Sequence, residues 1–254
     1  HGMVLVTGPT GSGKTTTLYA ALSELNEASK KIITVEDPVE YRLPRINQVQ
    51  VNPKIGLTFS TVLRTALRQD PDIMMVGEMR DQETVEIGLR GALTGHLVLS
   101  TLHTNDAITS ALRLIDMGAA GFLVGSSLRA IIAQRLVRRV CESCVEEHTP
   151  ESQELLWLTN LAGEKAKTTK FVRGKGCQSC QYTGYKGRIG VFELLEMNGS
   201  MMSALKRDDA EAFTQFSKEN PSFTPLAIAA FDYAAQGITT VEEVLRLVET
   251  VDVG

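Results

Sequence analysis

The chain has 254 residues, of which 43% are hydrophobic and 22% charged, as in an ordinary globular protein. This composition excludes collagen-like and disordered chains, and no apolar run approaches the roughly 18 residues that span a bilayer. The net charge of −4 gives no electrostatic reason to expect bulk nucleic-acid binding. The length predicts one large α/β core with a smaller appended region, or two modest domains.

Short apolar runs alternate with helical patterns through the first half of the chain. Strands are predicted at 4–7, 32–35, 73–76 and 97–102. Helices are predicted at 13–28, 107–117 and 122–135. Alternating strands and helices are typical of a parallel sheet, in which functional residues follow the carboxyl ends of the strands.

The second half changes character between the first and last cysteine, where the apolar periodicity is poor. An apolar stretch at 190–195 follows, and then three short helices are predicted to start near Ser200, Pro225 and Thr240. Pro225 suits a first-turn position, and Thr240 with Glu243 has the spacing of a capping box. We therefore predict three regions, an α/β core at 1–134, a tetracysteine subdomain at 135–195 and a C-terminal helical region at 196–254.

A glycine-rich loop lies between the first predicted strand and the first predicted helix. It matches GxxxxGK[ST] in full, and the next residue, Thr16, joins the predicted nucleotide-binding set Gly8, Pro9, Thr10, Gly11, Ser12, Gly13, Lys14 and Thr15. Glycines let successive backbone N–H groups point at phosphates, and the helix N-terminus adds a favourable dipole. Lys14 is expected to reach the β- and γ-phosphates while the Thr15 hydroxyl binds Mg²⁺. The alternative is a chance glycine turn.

Hydrolysis of a bound nucleotide also needs carboxylates that hold the metal and orient water. Two acidic clusters follow predicted strands, one at 36–40 and one that contains Glu78. An ordinary Walker B strand ends in Asp and then Glu, but here Gly77 replaces the Asp. Glu78 is then expected to act on Mg²⁺ directly or through water. The alternative is that these acids are solvated loop ends or helix caps.

Histidines bracket the predicted strand at 97–102. His96 and His103 could each sense the γ-phosphate or bond an acidic neighbour, although a lone histidine is more often a structural hydrogen-bonder. Zinc needs three or four ligands, so this pair is not predicted to bind metal.

The four cysteines form two CxxC pairs, Cys141 with Cys144 and Cys177 with Cys180. Two such turns supply the four thiolates of a tetrahedral structural zinc site. Disulfide or redox use is the alternative, and it is disfavoured because intracellular nucleotide enzymes rarely hold disulfides.

In chain order these motifs resemble the C-terminal ATPase domain of the type II secretion and type IV pilus assembly ATPase family. The likeness rests on GPTGSGKTTTLYA at 8–20, ITVEDPVEYRL at 33–43, LRTALRQDPDIMMVGEMRDQET at 63–84, TGHLVLSTLHTNDA at 94–107, QRLVRRVCESC at 134–144 and GYKGRIGVFELL at 184–195. In that family the second stretch is the Asp box, the third is an atypical Walker B motif in which Gly replaces Asp, and the fourth is the His box, which holds His96 and His103. Retraction ATPases of pili generally lack the tetracysteine element, so the resemblance favours the assembly or secretion branch.

The resemblance implies roles for individual residues. Glu40 would position or activate the attacking water, and Glu78 would support Mg²⁺ and catalysis. Four arginines match positions that contact phosphate or a neighbouring subunit, namely Arg64, Arg68, Arg80 and Arg188. The alternative for Arg64 and Arg68, one helical turn apart, is a solvated basic face.

The resemblance also implies a RecA-like core that assembles into a homo-hexamer and hydrolyses ATP with Mg²⁺. ATP would lie between this core and a separate N-terminal domain, so a chain that starts at His1 is expected to be a piece of a longer protein. The expected partners are an inner-membrane platform protein and an adaptor bound through the N-terminal region. The motor would be cytoplasmic and peripheral to the membrane's inner face, without nucleic acid. The alternatives are a nucleotide-gated scaffold with little turnover and a RecA-like nucleic-acid translocase.

Overall fold

The computed structural model describes residues 1–252, which form two compact units. The first unit comprises 1–133 and 194–223, and the second comprises 134–193 and the chain from Thr224 onward. Residues 253 and 254 of the predicted C-terminal helical region lie outside the described residues. No described helix is long and apolar enough to cross a bilayer.

Nine strands and eleven α-helices make up the described chain. The strands are β1 (Gly2–Thr7), β2 (Ile32–Glu36), β3 (Asn47–Gln50), β4 (Ile73–Val76), β5 (Leu97–Leu102), β6 (Leu128–Val140), β7 (Val145–His148), β8 (Phe171–Gly174) and β9 (Tyr185–Glu196). The helices are α1 (Lys14–Leu25), α2 (Phe59–Leu67), α3 (Gln82–Leu93), α4 (Ala107–Asp116), α5 (Gly121–Ser127), α6 (Ser152–Ala162), α7 (Lys165–Thr168), α8 (Gly199–Lys206), α9 (Ala210–Lys218), α10 (Leu226–Ala235) and α11 (Val241–Asp252).

Seven strands form one sheet in the order β3-β2-β4-β5-β1-β6-β9, and β7 pairs with β8 separately. The pairs β2–β3, β2–β4, β4–β5, β1–β5 and β1–β6 are parallel. The predicted α/β class with a parallel sheet is confirmed. Val35 pairs with Val76, Val76 with Ser100, and Thr7 with Leu102. The carboxyl ends of β2, β4, β5 and β1 therefore lie side by side at one end of the sheet.

One core cluster of the first unit lies between α1 and the sheet. Leu18, Tyr19 and Leu22 of α1 are buried against apolar residues of β1, β2, β4 and β5, and Tyr19 and Leu22 are fully inaccessible. The i, i+4 spacing of Leu18 and Leu22 puts both on the face toward the sheet. Burying such side chains contributes about 1.5–3 kcal/mol each, which fixes α1 and the loop before it on the sheet.

The helix predicted at 122–135 is wrong in its second half. Helix α5 ends at Ser127, and β6 begins at Leu128 and pairs in parallel with β1. The apolar spacing in this segment suits either a helix or a strand. Pairing with β1, more than a hundred residues earlier in the chain, selects the strand. Leu128, Ile131 and Ala133 are buried in the resulting strand.

After β9 the structure contains four helices where three are predicted, and α9 is the addition. Pro225 is the N-cap of α10 rather than its first helical residue. Thr240 Oγ1 accepts the Glu243 N–H at 3.3 Å, as the capping box predicts. The Glu243 carboxylate does not complete the box, since it accepts the Arg138 N–H at 2.7 Å and also bonds that residue's guanidinium.

Candidate active site and cysteine cluster

The glycine-rich loop joins β1 to α1 at the edge where the parallel strands end. Gly8, Gly11 and Gly13 all have positive φ, at 152°, 80° and 88°, so the loop needs glycine to curl. A Cβ on Gly11 would meet no atom within 4 Å, which leaves open space above the loop. Gly13 supplies no side-chain cap to α1, and the positive end of the helix dipole lies at this loop. This cradle fits the phosphates of a nucleotide.

The ammonium group of Lys14 lies inside this loop. Its Nζ donates to the carbonyls of Gly8 at 2.7 Å and Pro9 at 3.0 Å, and lies 3.4 Å from His103 Nδ1. On the other side of the ring, His103 Nε2 lies 3.4 Å from Glu78 Oε2. Since an ammonium can only donate, Nδ1 is the acceptor and the ring proton is assigned to Nε2, facing the carboxylate. His103 therefore connects Lys14 to Glu78.

Glu78 is held as a carboxylate at the end of β4. Arg80 Nη2 lies 2.5 Å from Glu78 Oε1, and the Glu78 side chain is only 17% exposed. The hydrogen bond from Arg80 and the contact with His103 lower the pKa of Glu78 below its usual value despite partial burial. The charge of this carboxylate is thus available to a cation in the cleft.

A side chain at Gly77 would crowd the end of β2. A Cβ there would lie 3.3 Å from the Val35 carbonyl oxygen and 3.4 Å from Glu36 Cα, tighter than ordinary contact. The close approach follows from the pairing of β2 with β4, where the Gly77 N–H donates to the Val35 carbonyl at 2.7 Å. This crowding favours glycine at the position where an ordinary Walker B strand carries aspartate.

A buried carboxylate ends β2. Glu36 is 3% exposed and accepts hydrogen bonds from the Tyr19 hydroxyl, from Thr34 Oγ1 at 2.6 Å and from Gln48 Nε2 at 3.2 Å. Burial, and then the hydrogen bond to Glu36, raise the pKa of Tyr19 to about 12, so its hydroxyl keeps its proton. The sequence does not mark Tyr19 as a site residue, because its place on α1 indicates only a core aromatic residue.

These elements enclose a cleft of about 410 Å³, a volume suited to a small-molecule ligand. It brings together predicted residues of several elements, namely Thr10, Gly11, Gly13, Lys14, Thr15, Thr16, Glu40, Glu78 and His103. Glu36, Asp37 and Phe59 also line it. Gly8, Pro9 and Ser12 do not line the cleft. They form the loop, where Gly8 and Pro9 bind Lys14 and Ser12 is buried.

His96 lies at the opposite end of β5 from His103. Six strand residues separate the two, about 20 Å at the usual rise per residue. His96 Nδ1 lies 2.9 Å from the Gly91 carbonyl oxygen at the end of α3. The structure therefore brings only His103 to the cleft.

The four predicted arginines do not line the cleft either. Arg80 pairs with Glu78, which lines the cleft. Arg64 pairs with Glu83 at 2.7 Å, and both side chains are 55% exposed. Arg68 donates to Thr65 Oγ1 at 3.4 Å on the same exposed face. Arg188 is exposed on β9 in the second unit.

The four cysteines of the second unit form one cluster, with all Sγ atoms within 4.8 Å of one another. The Cys141–Cys177 and Cys144–Cys180 Sγ separations are 3.9 Å, and Cys177–Cys180 is 3.8 Å. A disulfide requires about 2.05 Å, whereas sulfurs about 2.3 Å from a central tetrahedral zinc lie about 3.8 Å apart. The donor set therefore fits zinc.

Backbone N–H groups surround this cluster. Gly176 donates to Cys144 Sγ, and both Cys177 and Gly184 donate to Cys180 Sγ, each at 3.3 Å. The N–H groups of Cys177 and Gly184 lower the pKa of Cys180 to about 6, whereas burial raises the pKa of Cys144 to about 12, so Cys180 becomes a thiolate more readily than Cys144. Such bonds to the ligand sulfurs are a usual feature of structural metal sites.

A model of the type II/IV secretion system protein family matches residues 1–246. The type II secretion system protein E of Dickeya dadantii (strain 3937) is 47% identical over 97% of this chain and 48% of its own length. The type IV pilus assembly ATPase PilB of Myxococcus xanthus (strain DK1622) is 45% identical over 96% of this chain and 43% of its own length. The chain thus spans about half the length of the curated relatives it matches.

Solved structures share the fold. A crystal structure of the pilus retraction motor PilT with bound ADP has a TM-score of 0.71 and 30% identity, over 97% of this chain and 61% of that one. The Legionella pneumophila ATPase DotB has a TM-score of 0.70 over 98% of this chain and 60% of that one. Its 24% identity bears on the fold alone.

Proposed function

The chain belongs to the type II/IV secretion system protein family, and we propose that it hydrolyses ATP to power assembly of a type II secretion pseudopilus or a type IV pilus. The observation that carries this proposal is the single cleft that joins the glycine-rich loop, Lys14, Glu40 and Glu78. The relatives named as a type II secretion protein and a pilus assembly ATPase support the same function.

The chemistry is transfer of the γ-phosphoryl group from ATP to water. The water oxygen forms a bond to the γ-phosphorus, the bond to the β–γ bridging oxygen breaks, and ADP, phosphate and a proton are released. Glu40 orients the attacking water and accepts its proton. Lys14 leaves the Gly8 and Pro9 carbonyls to bind the β- and γ-phosphates, which offer it full negative charge.

Mg²⁺ is the expected cofactor. The Thr15 hydroxyl and Glu78 would hold it, and when bound it neutralises charge that develops on the phosphates. Because Gly77 brings no charge to the end of β4, Glu78 supplies the negative charge there. Arg80 and His103 keep that carboxylate ionised and in place.

The motor acts as a homo-hexamer on an inner-membrane platform protein, on the cytoplasmic side of the membrane, with an adaptor bound outside this chain. Arg64, Arg68 and Arg188 contact neighbouring subunits or their nucleotide. The half-exposed pair of Arg64 with Glu83 and the exposed faces of Arg68 and Arg188 support such a role. The cysteine cluster holds one structural zinc ion, which supports the assembly branch over the retraction branch.

Steady-state release of phosphate from ATP tests the proposal in the purified protein. Lys14→Ala and Glu78→Ala should each lower turnover by about 100-fold or more, because each removes charge that stabilises the transition state. Arg90→Ala, on the exposed side of α3 outside the cleft, is the matched control and should retain wild-type turnover. Wild-type turnover in both cleft variants would refute the proposal, and tight ATP binding without turnover in the wild type would indicate a scaffold instead.

A further inference from the structure

The loop that carries Glu40 lies on a buried tyrosine. Tyr19 is fully inaccessible, and its hydroxyl donates to Glu36 Oε1. The Tyr19 hydroxyl oxygen in turn accepts the Glu40 backbone N–H at 3.2 Å. Among the described residues, no backbone carbonyl accepts that N–H. The Tyr19 hydroxyl therefore connects a carboxylate in the core to the backbone of Glu40.

The acceptor beneath Tyr19 is itself fixed. Glu36 is 3% exposed, and Thr34 and Gln48 also donate to its other oxygen, at 2.6 Å and 3.2 Å. A carboxylate with three donors has little freedom to rotate, so it sets the direction of the phenolic O–H. The hydroxyl oxygen accepts the Glu40 N–H from the loop at 3.2 Å, and Gln48 Nε2 also donates to it at 3.4 Å.

Side chains also hold the rest of this loop. Gln50 Oε1 accepts the Val39 N–H at 3.2 Å, and Gln48 Oε1 accepts the Leu43 N–H at 2.7 Å. Gln48 Nε2 donates to the Tyr41 carbonyl at 3.0 Å. The position of Glu40 thus depends on side-chain anchors, of which Tyr19 is the one bonded to Glu40 itself.

We propose that Tyr19 is a positioning residue that sets the place of Glu40 over the cleft through the hydroxyl bridge to Glu36. The inference rests on the proposed function of Glu40 as the group that activates water. A shift of about 1 Å in a catalytic group can cost as much as ~100-fold in rate, so loss of the anchor affects turnover without touching the nucleotide.

Tyr19→Phe is the direct test, because it removes only the hydroxyl and keeps the buried ring. Turnover should fall about tenfold, while the affinity for a fluorescent ATP analogue stays within about twofold of wild type. Hydrogen exchange followed by mass spectrometry should be faster at the amides of 39–43. Tyr41→Phe is the matched control, since Tyr41 packs edge-on against Tyr19 at 4.8 Å but is 58% exposed, and it should change neither quantity.

A double-mutant cycle separates positioning from a general loss of structure. In a Glu40→Gln background, Tyr19→Phe should lower the residual turnover by less than about twofold, because the group it positions is already disabled. An equal loss in both backgrounds, unchanged exchange at 39–43, or unchanged turnover in Tyr19→Phe beside an impaired Glu40→Gln would overturn the role of Tyr19. Wild-type turnover in Glu40→Gln would instead refute the proposed role of Glu40.

A second variant covers the case in which Tyr19→Phe does not fold. Gln50→Ala changes an exposed side chain and frees the neighbouring Val39 N–H. It should speed exchange at that amide and lower turnover a few-fold at constant nucleotide affinity. Faster exchange with unchanged turnover would contradict the dependence of catalysis on the position of this loop.

Discussion

Gly77 offers a measurable test of why this strand end carries no aspartate. A Cβ at this position would lie 3.3 Å from the Val35 carbonyl oxygen, 3.4 Å from Glu36 Cα and 3.7 Å from the Phe59 ring. The first two contacts involve the backbone of a paired strand, so Gly77→Ala must move β2 by a few tenths of an ångström. Overpacking of this kind typically costs about 1–3 kcal/mol.

That cost converts to a thermal shift. For a chain of this size, 1 kcal/mol corresponds to about 2–4 °C, so Gly77→Ala should lower the Tm by roughly 2–12 °C. Gly77→Asp should lower it further, because a new carboxylate would lie beside the buried Glu36 and near Glu78. Turnover should fall in both variants.

Thermal denaturation followed by circular dichroism measures the shift. Gly199→Ala is the matched control, because a Cβ at Gly199 meets no atom within 4 Å, and its effect should stay within about 0.5 kcal/mol. A Gly77→Asp protein with wild-type Tm and raised turnover would refute the steric explanation.

Three further predictions concern pH, a buried ion pair and the metal. Because Arg80 lowers the folded-state pKa of Glu78, the pair stabilises the fold above the ordinary pKa of 4.5, and this contribution is lost as pH falls through the lowered value. Arg80→Ala should therefore cost less than about 1 kcal/mol at pH 7, Arg80 being 59% exposed. In urea denaturation this loss should shrink as the pH falls below 4.5, and an equal loss at pH 7 and in acid would contradict the prediction. Arg138→Leu leaves Glu243, only 4% exposed, without its closest guanidinium and should cost about 3 kcal/mol by the same method. A loss under about 1 kcal/mol would mean that Arg246, 3.3 Å from the same carboxylate, or solvent compensates its charge. Elemental analysis should find about one zinc per chain, and a strong chelator or Cys180→Ser should lower the Tm; metal-free protein with an unchanged Tm would exclude a structural zinc site.

The parts of the site that a local pattern specifies could be predicted from the sequence. GxxxxGK[ST] places its glycines and lysine within one loop, so the curl of the backbone and the position of Lys14 follow from neighbouring residues alone. The sequence also predicts that Glu40, Glu78 and His103 lie close together, because each comes soon after a predicted strand and parallel strands have their carboxyl ends side by side. The cysteine cluster followed from the pairing of two CxxC turns.

What escaped prediction depends on contacts between distant parts of the chain. Tyr19 has the helical spacing of a core residue, and no sequence pattern reveals that its hydroxyl binds the backbone of Glu40, 21 residues later. The strand β6 has apolar spacing that also suits a helix, and only pairing with β1 selects the strand. His96 precedes β5 and His103 follows it, so the two histidines lie at opposite ends of the strand and only His103 lies at the carboxyl end.

Single-turnover hydrolysis of γ-labelled ATP by Glu40→Gln beside the wild type, with nucleotide affinity measured on the same preparations, tests the proposed chemistry most directly. The variant should bind ATP within about twofold of wild type and release phosphate at least about 100-fold more slowly, because the water is no longer activated. Phosphate release at the wild-type rate would refute the role of Glu40 and with it the proposed mechanism.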